Sequence, residues 1–303
     1  MTNEKDFIEN SICGLIITYN IGKIIFKVVD SIKSQVDKVL IIDNGSAKEE
    51  TRNYLKKIKI KEKEKVIIIF NPENKGIAAA LNQGAKYALE KKFKWLLTLD
   101  HDSIALPDMV EELLKGYYFL KKSQPKTKIG ILAPIPYDYN IERALVSLNW
   151  PGNICETSMV ITSGSLINLE IFKKGIFFNE NFFVYYVDNE FCLRIIQKGY
   201  KIFLIKKAKL LHQEGNKQFK RFIHKKVSFS NYSPLAWYYI FRNGIYYIRK
   251  YHPPERAPII KRTFKDLIKI IFYDQQKIKS LKLSLKGLFD GWRGRLGKLD
   301  FRD

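Results

Sequence analysis

Soft metal ligands are scarce in this 303-residue chain, which has four histidines and three cysteines. Cys13, Cys155 and Cys192 are far apart, odd in number and set among apolar residues, so neither a zinc spacing nor a disulfide framework is present. Reduced thiols in a cytoplasm-like compartment fit that usage. No run of eighteen apolar residues occurs, so no spanning helix is expected. Met1 to Asn10 is polar and acidic, unlike a signal peptide. A Gly-x-Gly-x-x-Gly string and a Walker loop are both missing, which counts against NAD and P-loop chemistry. Acidic residues run short in one region only. Residues 201–303 carry 25 Lys+Arg against 7 Asp+Glu, a net of +18, whereas residues 1–200 carry 28 against 24, a net of +4. Such an excess suggests an anionic partner: membrane surface, polyphosphate or nucleic acid.

What is present is enough for a large core: 46% of residues are hydrophobic and 14% aromatic. Apolar runs at Ile12–Thr18, Lys38–Asp43, Lys65–Phe70 and Trp95–Leu99 read as buried strands. Between them, 22–35, 49–60 and 74–91 show helical spacing, for example Ala78, Leu81, Ala85 and Ala88. Regular alternation of strand and helix argues a parallel sheet covered on both faces. Further on, 107–120 reads as a helix and 130–133 as a strand. Residues 134–156, with Pro134, Pro136 and Pro151, read as an irregular loop or hairpin near an acceptor, and 201–211 as two short strands.

In an open parallel sheet, ligands sit beyond the carboxyl ends of the strands. Here those ends are Thr18-Tyr19-Asn20, Asp43-Asn44-Gly45-Ser46, Asn71 to Gly76, and Asp100-His101-Asp102-Ser103. A tyrosine ring can stack on a base, and Thr or Asn can bond ribose or base edges. Asp43 suits either a turn and helix cap, or acceptance of the imide N–H of uracil or thymine. Asn74 suits a cap for the helix after Gly76, whose N-terminus favours an anion. Asp100 and Asp102 repel each other when ionised unless a cation sits beside them, and Mg²⁺ or Mn²⁺ with positions open for phosphate oxygens fits. The alternative is an Asp-rich turn. The small residues at 162–165, with Ser163 and Gly164, allow a sugar close to the backbone, or simply make a strand-to-helix turn.

Four strings, IITYN (16–20), LIIDNGS (40–46), NPENKGIAAALNQG (71–84) and LLTLDHDS (96–103), together resemble the nucleotide half of the family 2 inverting glycosyltransferases. Within that family the chain is most similar to the rhamnosyltransferase-type enzymes of surface polysaccharide synthesis, capsule or cell wall. The resemblance implies an α/β GT-A fold: a Rossmann-like nucleotide half and a mostly parallel central sheet with helices on both faces, followed by a C-terminal helical region. The catalytic domain would span 1–230, its nucleotide-sugar half about 10–105 and its acceptor half about 106–230, and the basic helices 231–303. Asp43 would read the pyrimidine, and Asp102 with Asp100 would meet a metal–diphosphate. His101 falls among the nucleotide-sugar contacts with Thr18, Tyr19, Asn20, Asn74 and Gly76. The aromatic run 182–186 followed by Asp188 and Cys192-Leu193-Arg194 resembles the family's base-bearing helix, which by that match makes Asp188 the candidate base that takes the acceptor's proton; the alternative is a helix N-cap. Many members carry Glu-Asp here, whereas Val187 precedes Asp188 in this chain. Glu190 is expected to pair with Arg194, four residues on. His212 corresponds to an extra ligand for the donor-site cation; otherwise it is a surface histidine beside a closing loop at 213–216.

Ser233-Pro234 opens a helix to about Tyr251 that is apolar around most of its circumference. Arg242 within it suits an acceptor or donor phosphate, or a helix-packing salt bridge. Residues 256–291 mix Ile, Leu and Phe with Lys and Arg at helical intervals, the pattern of helices lying on anionic membranes or of helices packed on the catalytic domain with their lysines solvated. The expectation is a metal-dependent enzyme, cytoplasmic and peripheral on the inner membrane face. It would move a sugar from a dTDP- or UDP-sugar, best L-rhamnose from dTDP-L-rhamnose, to a glycan or polyprenyl-diphosphate-linked acceptor. The alternatives are a UDP-hexose-using enzyme of the same fold, a nucleotidyltransferase, or a nucleic-acid-binding protein. The nucleotidyltransferase lacks its glycine-rich basic loop. Nucleic acid is not the expected partner; that reading would need the basic residues to form one open groove with exposed aromatic platforms.

Overall fold

A computed structural model of the chain describes residues 11–138, 143–212, 217–222, 225–230 and 232–300. The chain packs as two units, Met1–Asn179 with Asp188–Gln213, and Glu180–Val187 with Glu214–Asp303. The contacts therefore divide the chain near 213, where the sequence suggests 230, and the segment at 180–187 groups with the C-terminal residues.

The first unit is an α/β layer structure. Its opening elements are β1 (Ile12–Thr18), α1 (Ile24–Ile32), β2 (Lys38–Asp43), α2 (Glu49–Lys61), β3 (Val66–Phe70), α3 (Ile77–Glu90) and β4 (Trp95–Asp100). The four strands pair in parallel in the order β3-β2-β1-β4. Strands β1, β2 and β4 are buried almost end to end, which is why they read as unbroken apolar runs. The register Thr18↔Asp43 and Ile17↔Asp100 brings three polar strand ends to one edge of the sheet.

Next come β5 (Ile104–Ala105), α4 (Met109–Ser123), β6 (Ile129–Asp138), β7 (Ile154–Thr157), β8 (Leu166–Asn168), α5 (Glu170–Lys173), α6 (Val187–Gln197) and β9 (Lys201–His212). The sheet continues β4-β8-β6-β9-β5, with β7 also on β9. Parallel pairing supplies the long ladders, and β8, β5 and β7 run antiparallel to their neighbours.

Two sequence readings are corrected here. Strand β6 runs on through Pro134 and Pro136, and β7 occupies 154–157, so 134–156 is not uniformly irregular. The prolines fit because β8 pairs β6 only at Ile131 and Leu132. Beyond that point this side of β6 has no ladder to serve, and the Pro136 carbonyl accepts instead from Leu145 N. The two short strands expected over 201–211 form one strand, β9. Its pairing with β6 jumps from Pro134↔Ile205 to Ile135↔Lys209, so residues 206–208 bulge out where a break was read.

In the second unit, β10 (Lys217–Phe222) and β11 (Lys225–Ser230) pair as an antiparallel hairpin. Three helices follow: α7 (Pro234–Tyr251), α8 (Arg256–Tyr273) and α9 (Lys277–Arg293). Ser233 caps α7 by accepting from Ala236 N at 3.2 Å, with Pro234 in the first turn. Gly287 and Gly291 let α9 lie against α7: a Cβ at either would fall 2.4 Å from the Tyr238 carbonyl oxygen or 2.2 Å from that of Arg242. Trp237, Phe241 and Ile270 form this unit's apolar core. No helix among the described residues is long and apolar enough to cross a membrane.

Candidate active site

At the β2 end, Asp43 is 1% exposed and held by donors. Its Oδ1 accepts from Thr18 Oγ1 at 3.1 Å and Ser46 Oγ at 2.5 Å, and its Oδ2 from Ser46 N at 3.2 Å. A carboxylate has about four acceptor sites, so one remains for a ligand donor. Asn20, with φ +52°, accepts at Oδ1 from Ala47 N and Lys48 N at 2.9 and 3.1 Å, so its side chain wraps the β2–α2 loop. Tyr19 beside it is 43% exposed. Asn44 ties the next loop: its Nδ2 donates to Asn74 Oδ1 at 3.2 Å and to the Gly76 carbonyl at 3.1 Å. A Cβ on Gly45, at φ +76°, would lie 2.3 Å from the Glu73 carbonyl carbon, so only glycine lets the two loops meet. Asn74 does not cap α3. Gly76 occupies the cap position, and Asn74 Oδ1 instead accepts from Gly76 N at 2.9 Å.

Beyond β4, one ligand atom each from Asp100, Asp102 and His212 lies within 4.8 Å of the others. Two carboxylates and an imidazole, all partly accessible, are a donor set suited to Mn²⁺ or Mg²⁺ with positions left for phosphate oxygens. Asp100 Oδ2 is 4.0 Å from His212 Nδ1. Loss of hydration raises the Asp100 carboxyl above its usual range, and Asp102 adds repulsion, while His212 and His101 pull it down. A cation would relieve that repulsion.

A chain of hydroxyls supports the group. Ser163 Oγ accepts from Asp100 N at 3.0 Å and donates to Ser103 Oγ at 2.9 Å, which lies 2.8 Å from His212 Nδ1. Ser163 is buried, and a Cβ on Gly164, at φ +81°, would sit 2.6 Å from Pro134 Cγ. The 162–165 turn is stitched to β4: Gly164 N donates to the Thr98 carbonyl at 2.7 Å and Thr98 Oγ1 to the Thr162 carbonyl at 2.5 Å.

Asp188 lies in the first turn of α6 and accepts from Asn189 N at 2.9 Å. It borders a small pocket whose wall is apolar: Ile131, Val160, Ile167, Phe178, Phe191 and Cys192. That burial pushes the Asp188 carboxyl up to about 6, and the charge of Asp100 pushes the same way. The base candidate and the metal group therefore feel each other electrostatically. Glu190 pairs with Arg194 as expected, through Arg194 Nε at 2.6 Å and Nη2 at 2.9 Å.

The structure thus groups Thr18 with Asp43, Asn74 with Gly76, and Asp100, Asp102 and His212 with Ser163 and, through charge, Asp188. Arg242 belongs to the second unit, where it is 1% exposed and donates to backbone carbonyls. Residues 213–216, read as a closing loop, lie outside the described residues. Ser46, Asn44, Thr98 and Ser103 were not singled out from the sequence. Their partners lie 3 to 109 residues away, and no local pattern marks them.

Residues 14–126 match the model of glycosyl transferase family 2. The dTDP-rhamnosyl transferase RfbF of Shigella flexneri is 28% identical over 299 residues, which is 95% of this chain and 98% of that one. Residues 1–349 of S. aureus TarS in complex with UDP-GlcNAc superpose with a TM-score of 0.58 at 15% identity, covering 93% of this chain and 81% of that one. The mannosyltransferase PcManGT from Pyrobaculum calidifontis, solved with GDP-Man and Mn²⁺, gives a TM-score of 0.54 at 13% identity, covering 95% and 76%. At such identities the structural likeness carries the fold, and the family match and the full-length relative carry the rest: the chain is a glycosyltransferase with a glycosyl transferase family 2 domain over residues 14–126, built on a GT-A-type fold.

Proposed function

We propose that the protein is a metal-dependent, inverting rhamnosyltransferase that moves L-rhamnose from dTDP-L-rhamnose to a glycan or polyprenyl-diphosphate-linked acceptor of a surface polysaccharide. The observation that carries this is the relation of the acidic groups along one sheet edge. Asp43 and Asp100 end strands flanking β1, about 10 Å apart at ordinary strand spacing, and Asp188 is close enough to Asp100 for their charges to interact. Asp43, with one acceptor position left, takes the imide N–H of the thymine, and Tyr19 offers its ring to the base. Asp100, Asp102 and His212 would hold Mg²⁺ or Mn²⁺, whose charge would neutralise the leaving diphosphate. Asp188 takes the proton of the acceptor hydroxyl as it attacks C1 from the face opposite the diphosphate. Its raised pKa, near 6, leaves it ionised at neutral pH yet a better base than an ordinary carboxylate. The full-length likeness to a dTDP-rhamnosyl transferase favours rhamnose. Uracil presents the same imide as thymine, so a UDP-hexose donor is the second reading, favoured by the fold shared with TarS bound to UDP-GlcNAc.

The surface of the second unit favours a seat on the inner face of the cytoplasmic membrane. On α8, Ile260, Phe264, Ile268, Ile271 and Phe272 are exposed and fall along one stripe, beside Lys261 and Lys265. On α9, Ile278, Leu285, Phe289 and Trp292 do the same. Apolar stripes flanked by lysine suit the boundary of an anionic bilayer. The test of function is nucleotide release from dTDP-L-rhamnose and UDP-sugars with Mg²⁺ or Mn²⁺, then with EDTA. Release from dTDP-L-rhamnose that EDTA stops is the expected result, and no release from any of these donors would sink the proposal.

A further inference from the structure

A buried cation in the second unit has no acidic partner in any described ion pair. Arg242 of α7 donates through Nη1 to the Gly297 carbonyl at 2.6 Å and through Nη2 to those of Phe182 and Asn181 at 3.1 and 3.5 Å. Its guanidinium lies 4.7 Å from the Tyr239 ring centroid. Arg242 Nε also donates to Asn243 Oδ1 at 2.9 Å, which turns the Asn243 amide nitrogen toward the same segment. Asn243 Nδ2 donates to the carbonyls of Phe182, Val184 and Tyr185 at 2.8, 2.6 and 3.0 Å. Two neighbouring side chains thereby satisfy four carbonyls of one short stretch.

That stretch has an unusual backbone. Phe183, Tyr185 and Tyr186 have φ of +61°, +60° and +60°, a conformation that bulky L residues adopt only when their surroundings over-determine it. Backbone donors serve part of the stretch, Val184 N reaching the Phe182 carbonyl at 2.7 Å and Gly297 N that of Asn181 at 2.8 Å, while the Val184 and Tyr185 carbonyls take their hydrogen bonds from Asn243. The aromatic rings are pinned as well. Phe183 stacks on Tyr239 at 5.2 Å, and Tyr186 lies against Tyr247 at 5.8 Å. Gly244 leaves room for Tyr186: a Cβ there would fall 3.1 Å from its hydroxyl oxygen. The stretch ends at Val187, the first residue of α6, and the next residue is Asp188.

We infer that Arg242 and Asn243 are positioning residues for the acceptor-side base. By holding the carbonyls of residues 181–185 they fix the backbone turn from which α6 starts, and with it the direction the Asp188 carboxylate faces. This rests on Asp188 being the base. The first turn of a helix inherits its orientation from the residues that enter it, and a base displaced by about 1 Å loses on the order of 100-fold in rate.

The test is steady-state nucleotide release from dTDP-L-rhamnose or UDP-GlcNAc, whichever the full-length wild type hydrolyses, with water standing in for the acceptor. Rates are expressed per nucleotide-binding site titrated. Asn243→Asp keeps the shape but turns acceptors toward acceptors, and is expected to lower kcat about 100-fold with donor KM and nucleotide affinity within threefold. Gly244→Ala loses no hydrogen bond and is expected to show the same signature at about tenfold, and it decides the matter if Asn243→Asp does not fold. Asp188→Asn runs beside them. If it retains release, the reading of the base falls and the positioning role with it. If it is inactive while Asn243→Asp and Gly244→Ala, or Gly244→Ala alone where the other does not fold, keep kcat within threefold of wild type, the positioning role alone is overturned. A loss of titratable sites at unchanged kcat per site would equally overturn it, since that is what a purely structural contact produces.

Discussion

Two regions of the first unit, the strand end at Asp43 and the helix start at Asp188, hold their carboxylates by different means. Asp43 ends a buried parallel strand and takes hydrogen bonds from Thr18 and Ser46. Asp188 starts a helix, takes one from Asn189 N, and otherwise faces an apolar pocket. Donors fix a carboxylate as an acceptor for a ligand's N–H. Dehydration makes it hold a proton more tightly, which suits a base. Under the proposed function the same side chain serves recognition in one place and proton transfer in the other, and each assignment can be broken separately.

The largest expected effect is on the acceptor side. Asp188→Asn removes the proposed base and should cut transfer by about 10³-fold while nucleotide affinity stays near wild type. Because the carboxyl sits near 6 and acts only when ionised, the wild-type rate should fall about tenfold per pH unit below that value. Its folded pKa lies above the unfolded 3.8, so ionising it costs stability that is absent below pH 3.8 and complete above about pH 6. Asp188→Asn should therefore raise the melting temperature at pH 8 and leave it unchanged at pH 3.5, with an upper bound of about 3 kcal/mol. A variant less stable than wild type at pH 8 would remove the burial argument.

On the donor side the effects should be graded. Asp102→Ala should weaken Mn²⁺-dependent nucleotide binding by about 100-fold or more, and wild-type affinity would refute its metal role. Ser103→Ala frees the His212 ring and should cost about tenfold in Mn²⁺ affinity, read by titration without any donor. Thr18→Val removes one of the bonds to Asp43 and should raise donor KM by about fivefold at unchanged kcat, from a loss of about 1 kcal/mol. If Thr18→Val lowered kcat and left KM alone, the division between recognition and proton transfer would fail.

The donor half was legible in the sequence because its physics is local. Buried parallel strands are continuous apolar runs, and β2 ends where the run Lys38–Asp43 ends. The Asp100–Asp102 spacing alone suits an Asp-rich turn as well, and it is the company of the other polar strand ends that points to a cation. The supports of the same half were not legible. Ser103 meets His212 across 109 residues, and Ser163 meets Asp100 across 63. Asn74 was read as a helix cap because Asx-before-helix is a common pattern, yet it closes a turn one step earlier. Strand β6 was cut short at Pro134 because proline usually ends a strand, and only the early end of β8 shows why it need not. For Arg242 the sequence leaves a phosphate contact and a helix-packing salt bridge equally open. In the structure its guanidinium meets the partial negative charge of backbone carbonyls, among them those of Phe182 and Gly297.

The central claim is that the base and the donor site are separate. It is tested most directly by the turnover number for nucleotide release from saturating dTDP-L-rhamnose, Mn²⁺ present, in Asp188→Asn against wild type, each rate divided by the dTDP-binding sites titrated in the same sample. The account expects full occupancy and a rate lower by about 10³-fold. A rate within tenfold of wild type at full occupancy would contradict it.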